Sequence, residues 1–378
     1  MKKSILFLPR WYPNKTDVQL GTFIRQQAIL LKDEFDISVI YVQADSTAKQ
    51  KFEFIENKKE GIHEIIVYFK EGTGPFKKLI NLNRYKKAQQ LAYKKLNRKV
   101  DLCHVQVPYR SAPLALYLKR KQQVEFVVTE HWSGHLTGDF QKKNKLDQKL
   151  YKTVLKKAAT ISCVSELLQK KFKENTGFDS VVIPNFIEHF PMDVESEPTN
   201  KLQLLSVSDM IDTVKNISGL IKAFSDAIKI NPNLHLTLIG GGPDEEKILD
   251  LITELQLQQQ ISFRGRQPHI SVLTEMNSCH FYICNSNFET FGMTVAEALR
   301  AGKPVISTKC GGPEEFLNSN NSILINPKNN EELKSAILKM ATEFQNYNSE
   351  NLATEIENRF GKNTIKQKLI SFYQALFK

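Results

Sequence analysis

HFYICNSNFETFGMTVAEALRAGKPVISTKCGGPEEF (280–316) runs twice through the same order of events. The apolar run His280–Cys284 reads as a strand, NSNFETFG as the loop at its carboxyl end, and a helix follows from near Thr294. KPVIST (303–308) is then a second strand, Gly311-Gly312 a tight turn, and Pro313 sits at the first helical turn, where its missing N–H costs nothing. Strand, glycine turn and helix in that order make the unit of a parallel sheet with crossover helices.

The unit recurs outward from there. LQLLSVS (202–208) precedes NISGLIKAFSDAIKI (216–230), LHLTLIG (234–240) precedes DEEKILDLITELQ (244–256), and ISFRG (261–265) is a further strand. The first half alternates in the same way: SILFL (4–8), GTFIRQQAILLKD (21–33), FDISVIYV (35–42), HEIIVYF (63–69) and a lysine-rich helix near 83–99. DLCHVQV (101–107), SAPLALYLKR (111–120), VEFVVTEH (124–131), a helix near 145–158, ATISCVS (159–165) and SVVIPNFI (180–187) complete it. Between the halves, IEHFPMDVESEPTNK (187–201) is polar, holds two prolines and reads as a linker; from about 331 the tail reads as helices only. The expected architecture is α/β, with two tandem Rossmann-like doubly wound domains facing across a cleft. The boundaries are 1–188, 189–355, and a C-terminal segment 356–378 returning to the first domain. Ligands of open α/β sheets bind outside the carboxyl ends of strands, so each strand-to-helix loop is a candidate site.

Composition excludes several classes. At 378 residues the chain exceeds one ordinary core, and its 41% hydrophobic and 25% charged residues are those of a soluble globular protein. No apolar stretch approaches the roughly 18–20 residues a membrane span needs. The opening MKKSILFLPR has too short an apolar run for a secretory segment, so Ser4–Leu8 is read as a buried strand. The five cysteines are scattered and odd in number, with neither a disulfide framework nor metal-ligand spacing, which points to a reducing cytoplasm. Charge is uneven: 34 Lys and Arg against 19 Asp and Glu in 1–190, and 18 against 22 in 191–378. The lysines of 76–99 and 141–157 are either solvated helix faces or a surface for something anionic, such as membrane lipid or a lipid-linked phosphate. Nucleic acid is disfavoured, because no recognition motif accompanies the charge.

In the 280–302 unit, Thr294 and Glu297 fit a capping box, the plain structural reading of that glutamate. Glu289 has no such role; it lies in the loop facing the helix N-terminus, whose free amides favour phosphate. Gly292 lets a ligand approach the backbone closely. Acids for hydroxyls beside amides for phosphates point to a nucleotide-sugar. Gly240-Gly241-Gly242 follows a strand but does not complete G-x-G-x-x-G, since position 245 is Glu, and no P-loop occurs.

SVSDMIDTVKN, LIKAF, LTLIGGGP, ISFRG, NFETFGMTVAEALRAGKPVIST and GGPEEF, in this order, resemble the C-terminal domain of GT-B retaining glycosyltransferases of family 4. The first half is similar too, through FLPRWYPN, GTFIRQQA, HVQVP, TEHWSG, CVSELL and IPNFI. The resemblance covers nearly the whole chain, with Glu289 and Glu297 as the family's E-x7-E element. It implies that Glu289 holds donor-sugar hydroxyls and Glu297 the ribose, and that Phe291, Gly292 and Met293 present backbone amides, with Thr294 and Gly241 in the same donor site. Lys215 would neutralise the diphosphate, His131 would face the donor sugar, and Gly21 would admit a substrate near the reaction centre. One departure stands out: the family's usual arginine before the lysine is Asp209 here, so its duty falls on Lys215, the helix amides or Arg264.

The implied reaction transfers a sugar from a nucleoside diphosphate to a hydroxyl acceptor with retention, needing no metal and no cofactor. The implied partners are the nucleotide-sugar, a saccharide or lipid-linked acceptor and, through the basic half, the anionic inner face of the cell membrane. The alternatives are a nucleotide-sugar epimerase of similar fold, against which the E-x7-E element argues, and a non-catalytic sugar-nucleotide-binding scaffold.

Overall fold

The structure, a computed structural model, describes residues 2–188 and 201–377. Most of the expected linker 187–201 therefore lies outside the described residues. The chain forms two compact units. The first comprises residues up to Val164, Leu168–Pro184 and the tail from Ile365; the second comprises Ser165–Leu167 and Asn185 to Thr364.

The first unit is built on an eight-stranded sheet: β1 (Ser4–Pro9), β2 (Asp36–Asp45), β3 (Phe52–Lys59), β4 (Ile62–Lys70), β5 (Leu102–Gln106), β6 (Glu125–Glu130), β7 (Thr160–Cys163) and β8 (Val181–Val182). Their order is β3-β4-β2-β1-β5-β6-β7-β8, with every pairing parallel except β3 with β4. All six residues of β1 are buried, as expected of a central strand covered by helices on both faces. The β3–β4 hairpin was not anticipated. FEFIENKK is an exposed edge strand whose charges discourage further pairing, and its turn is Glu60-Gly61, both at positive φ.

The second unit holds a six-stranded, wholly parallel sheet: β9 (Leu202–Val207), β10 (Leu234–Ile239), β11 (Ile261–Phe263), β12 (Phe281–Cys284), β13 (Val305–Thr308) and β14 (Ser322–Ile325), in the order β11-β10-β9-β12-β13-β14. The order reverses at β9, so the loops after β9 and β12 flank the switch point where open sheets bind ligands. Helix Ile217–Ile228 buries Leu220, Ile221 and Phe224 against this sheet.

The tail corrects one expected boundary. Position 356 lies inside the continuous helix Ser349–Phe360, and that helix belongs to the second unit: Phe360 packs edge-on against Phe291 and Phe316, and Glu357 takes Arg300 at 2.9 Å. The return to the first unit starts at Ile365. From there Tyr373 shares a 2.6 Å hydrogen bond with His104 Nδ1, and Lys366 pairs with Glu34 at 3.0 Å.

Candidate active site

The loop between β12 and helix Met293–Arg300 is fastened to its neighbours on both sides. Toward β9, Asn287 N–H donates to the Val214 carbonyl at 2.7 Å and Asn285 Nδ2 to the Asn216 carbonyl at 2.9 Å. Toward β13, Glu289 N–H donates to the Cys310 carbonyl at 2.8 Å and its own carbonyl accepts from Gly312 at 3.0 Å. Glu289 is thus held by a short parallel bridge to Gly311 rather than left on a free loop.

Its carboxylate meets Lys215 Nζ at 2.6 Å and accepts from Ser286 Oγ at 2.7 Å. Lys215 ends the short helix Asp212–Lys215, which stops because Asn216 takes a left-handed conformation. The two side chains are 19% and 17% exposed, so this ion pair is mostly withdrawn from water while open at one side. Burial alone would lower the Lys215 pKa; Glu289 more than offsets it, and the ammonium is held above the usual lysine range.

Gly292, at φ 86°, caps the helix, so Met293 is its first residue. This overturns the expected capping box: the helix starts before Thr294, and the Thr294 hydroxyl instead shares a 2.8 Å hydrogen bond with the buried Tyr282 hydroxyl, which also bonds the Val207 carbonyl at 2.9 Å. The first-turn amides of 293–295 have no acceptor within the helix and are available to an anion. The Phe291 ring is buried against Phe316 and Phe360, leaving its backbone as the group it can offer. Glu297, freed of capping, is buried and bonds His269 Nε2 at 2.9 Å. Burial lowers the His269 pKa, but the Glu297 carboxylate prevails and raises it. The second glycine turn leads into only a four-residue 3-10 turn, Gly312–Glu315, not a longer helix.

At the other side of the switch point the Asp209 side chain is paired. Arg266 Nη2 reaches Asp209 Oδ1 at 3.0 Å and the Gly241 carbonyl at 3.0 Å. Arg264 is exposed; its backbone carbonyl accepts from Gln267, and the chain turns at Gly265 (φ 62°) before Arg266 comes round. Arg266, His269 and Ser286 are the site residues the sequence reading missed. Their partners lie 57, 28 and 3 positions away, so only the last was within reach of a local pattern.

Gly21 and His131 belong to the first unit. Gly21 caps helix Thr22–Leu30 at φ 66°, with its Cα side against the Trp11 carbonyl. His131, just past β6, donates through Nε2 to Gln106 Oε1 at 2.6 Å, and Gln106 Nε2 bonds Gln27 at 2.5 Å. Its Nδ1 is buried without a partner. Burial drives the His131 pKa down to about 4 against a small opposing effect of Glu130, so the ring is neutral above that pH. A neutral ring in the fold and an ordinary histidine in the unfolded chain mean that the unfolded state binds more protons between about pH 6.5 and 4. The associated stability, about 3 kcal/mol, is present above pH 6.5 and lost as pH falls through 4. Thermal melts across this range should fall less steeply for His131→Gln than for the native chain.

Two open, mostly parallel sheets, with acceptor-free first-turn amides and paired acids and cations at one switch point, place the chain in the α/β class with a site suited to an anion. Residues 188–367 match Glycosyl transferases group 1 and residues 21–189 match Glycosyltransferase Family 4. The chain belongs to the glycosyl transferases group 1, on a GT-B fold. It is 26% identical over 242 residues to an uncharacterized glycosyltransferase of Methanocaldococcus jannaschii, a match covering 64% of this chain and 65% of that relative's length. Sucrose-phosphate synthase from Thermosynechococcus elongatus superposes with a TM-score of 0.78 at 17% identity, over 100% of this chain and 99% of that one. An Anabaena protein crystallised in complex with UDP and glucose gives 0.73 at 18% identity, over 99% and 100%.

Proposed function

We propose that the chain transfers a sugar from a nucleoside diphosphate sugar to a hydroxyl acceptor with retention at the anomeric carbon. The acceptor is a lipid-linked or surface-polysaccharide intermediate. The observation that carries this reading is the Lys215–Glu289 pair, fixed in the loop that leads into the amides of 293–295. When the donor enters, Lys215 turns from Glu289 to the diphosphate, and Glu289 accepts sugar hydroxyls in its place. The bond from the anomeric carbon to the phosphate oxygen breaks, and the acceptor oxygen bonds the same face. The acceptor proton passes to the departing phosphate. Charge grows on the diphosphate as it leaves, and the ammonium, already turned onto it when the donor bound, stabilises it together with the preoriented amides without further reorganisation. No step calls for a metal, so transfer should survive chelation by EDTA.

A thermal-shift panel of UDP-, GDP-, ADP- and TDP-sugars tests the donor half. A ligand at 100 times its Kd stabilises by about 2.7 kcal/mol. One sugar nucleotide should raise the Tm of the native chain and do so far less for Glu297→Ala, which loses the ribose contact. If no sugar nucleotide shifts the native chain, this reading and the sugar-nucleotide-binding scaffold both fall; a shift with neither transfer nor donor hydrolysis would leave the scaffold.

The basic half supports a membrane-facing acceptor. Helix Lys77–Leu96 opens with Phe76, Leu79 and Leu82, which are 69%, 57% and 43% exposed, beside Lys77, Lys78, Lys86 and Lys87. Apolar side chains beside lysines are the composition of an interfacial helix, and each lysine near an anionic surface contributes about 1 kcal/mol. Glutamates at these four lysines should abolish co-sedimentation with phosphatidylglycerol vesicles. Unchanged sedimentation would rule out this face.

A further inference from the structure

The first unit carries a cluster that the donor chemistry leaves unused. Past β5 the chain passes through Val107 at φ 57° and Arg110 at φ 71°. A β-branched residue takes positive φ only where its surroundings force it, and such outliers gather at functional sites. The two bracket Tyr109. Past the neighbouring strand β6, Trp132 is fixed as firmly. Its backbone N–H donates to the buried Glu130 carboxylate at 2.7 Å, and the His135 ring closes edge-on on the indole at 5.5 Å. The indole lies on Gly134, where a Cβ would stand 2.0 Å from Cζ2, so only glycine permits this seat.

The Tyr109 and Trp132 rings lie 15° from parallel with centroids 6.4 Å apart. Lys143 Nζ sits 3.9 Å from the first centroid and 4.6 Å from the second, and the Arg110 guanidinium 5.3 Å from the Tyr109 ring. Among the described residues neither cation has a carboxylate partner. Asp139, which feels Lys143, is itself bonded to Lys142 at 3.0 Å and to Thr137 at 2.8 Å. Helix Lys145–Lys157 packs on the Tyr109 turn, and its Lys145, Lys149, Lys152 and Lys156 line a separate groove beside Phe178. One residue before Trp132, the His131 Nδ1 is buried and unpartnered, a second polar group in this loop without a mate. A rigid aromatic pair, partly buried and carrying cations without a carboxylate partner, is built for a ligand with an apolar face and a negative charge.

We infer that Tyr109, Trp132 and Lys143 form a subsite for an anionic sugar of the acceptor. The C–H face of a pyranose lies on the rings, and Lys143 leaves the ring faces to join Arg110 on the sugar's carboxylate or phosphate. This rests on the glycosyltransferase reading and names the chemistry of its acceptor.

Trp132 and Trp11 are the two tryptophans of the chain, so emission reports on the site. The full chain is titrated with methyl glucuronoside, glucose 1-phosphate, methyl glucoside and inorganic phosphate. At least one anionic sugar should change the emission saturably, with a Kd about tenfold below that of methyl glucoside, and which one does so separates carboxylate from phosphate. Inorganic phosphate alone should change nothing. Trp132→Phe, which keeps a ring on Gly134, should lose the signal; Lys143→Met should narrow the gap between charged and neutral sugars, and Lys143→Met with Arg110→Met should bring them to equal Kd. Silence with both anionic sugars, an equal response to inorganic phosphate, or a preference that Lys143→Met leaves undiminished or that survives the double variant would overturn the inference. The donor thermal shift reads the second unit separately. A silent titration with that shift intact defeats this subsite alone, whereas loss of both defeats the glycosyltransferase reading.

Discussion

Lys215→Met should lower kcat by about 10²–10³-fold, the cost of removing one preoriented charge from a departing anion. The substitution also strands Glu289, mostly buried and left with Ser286 as its side-chain hydrogen-bond partner, so the fold should lose about 1–3 kcal/mol. The two effects are separable. Lys215→Met with Glu289→Gln replaces the pair by two neutral groups, and a neutralised pair is often no less stable than the charged one. The double variant should therefore melt close to the native chain while transferring no faster than the single variant. If activity returned together with stability, Lys215 would be a structural partner of Glu289 and the leaving group would need another cation. Arg266 is the one to examine next, because its guanidinium is bonded to Asp209, and Asp209 contributes to the raised pKa of Lys215.

How much of this was legible in the sequence depends on what each feature needs. Glu289 stood out because a loop acid before a helix has no local employment, and the structure gives it a partner that no local pattern could name. Lys215 is 74 positions away and reaches Glu289 only because β9 and β12 are neighbours in the sheet. Arg266 and His269 were invisible for the same reason: each lies just after β11, and its partner is chosen by the order of strands. The misplaced cap has a different cause. Thr294 and Glu297 have the spacing of a capping box, but a left-handed glycine two residues earlier can start a helix without any side chain, and Gly292 does so. β3 escaped because an edge strand exposed on one side carries charges where a central strand carries apolar residues. The central strands, buried on both faces, were the most legible elements, since continuous apolar runs between turns leave little else to be read.

Gly292→Ala should be the most damaging single change at the site, and it tests why the loop is built around that residue. Two costs combine. At φ 86° an alanine pays about 1–2 kcal/mol for its Cβ. That Cβ would also stand 2.5 Å from Pro313 Cγ, which forces the two loops apart. Pro313 lies in the turn whose Gly311 and Gly312 fasten Glu289, so the displacement passes directly to the Glu289 carboxylate and to the amides of 293–295. Stability should fall by about 2–4 kcal/mol, and the donor-induced thermal shift should disappear. Pro313→Ala added to Gly292→Ala opens the space the new methyl needs while leaving the backbone conformation as strained as before. The double variant should recover the overlap part of the loss and some donor binding, but not the last 1–2 kcal/mol or so that belongs to φ. Full recovery would mean that crowding alone set the requirement for glycine. No recovery would place it in the left-handed cap, the feature that starts the helix at Met293 and leaves its first amides without an acceptor in the helix.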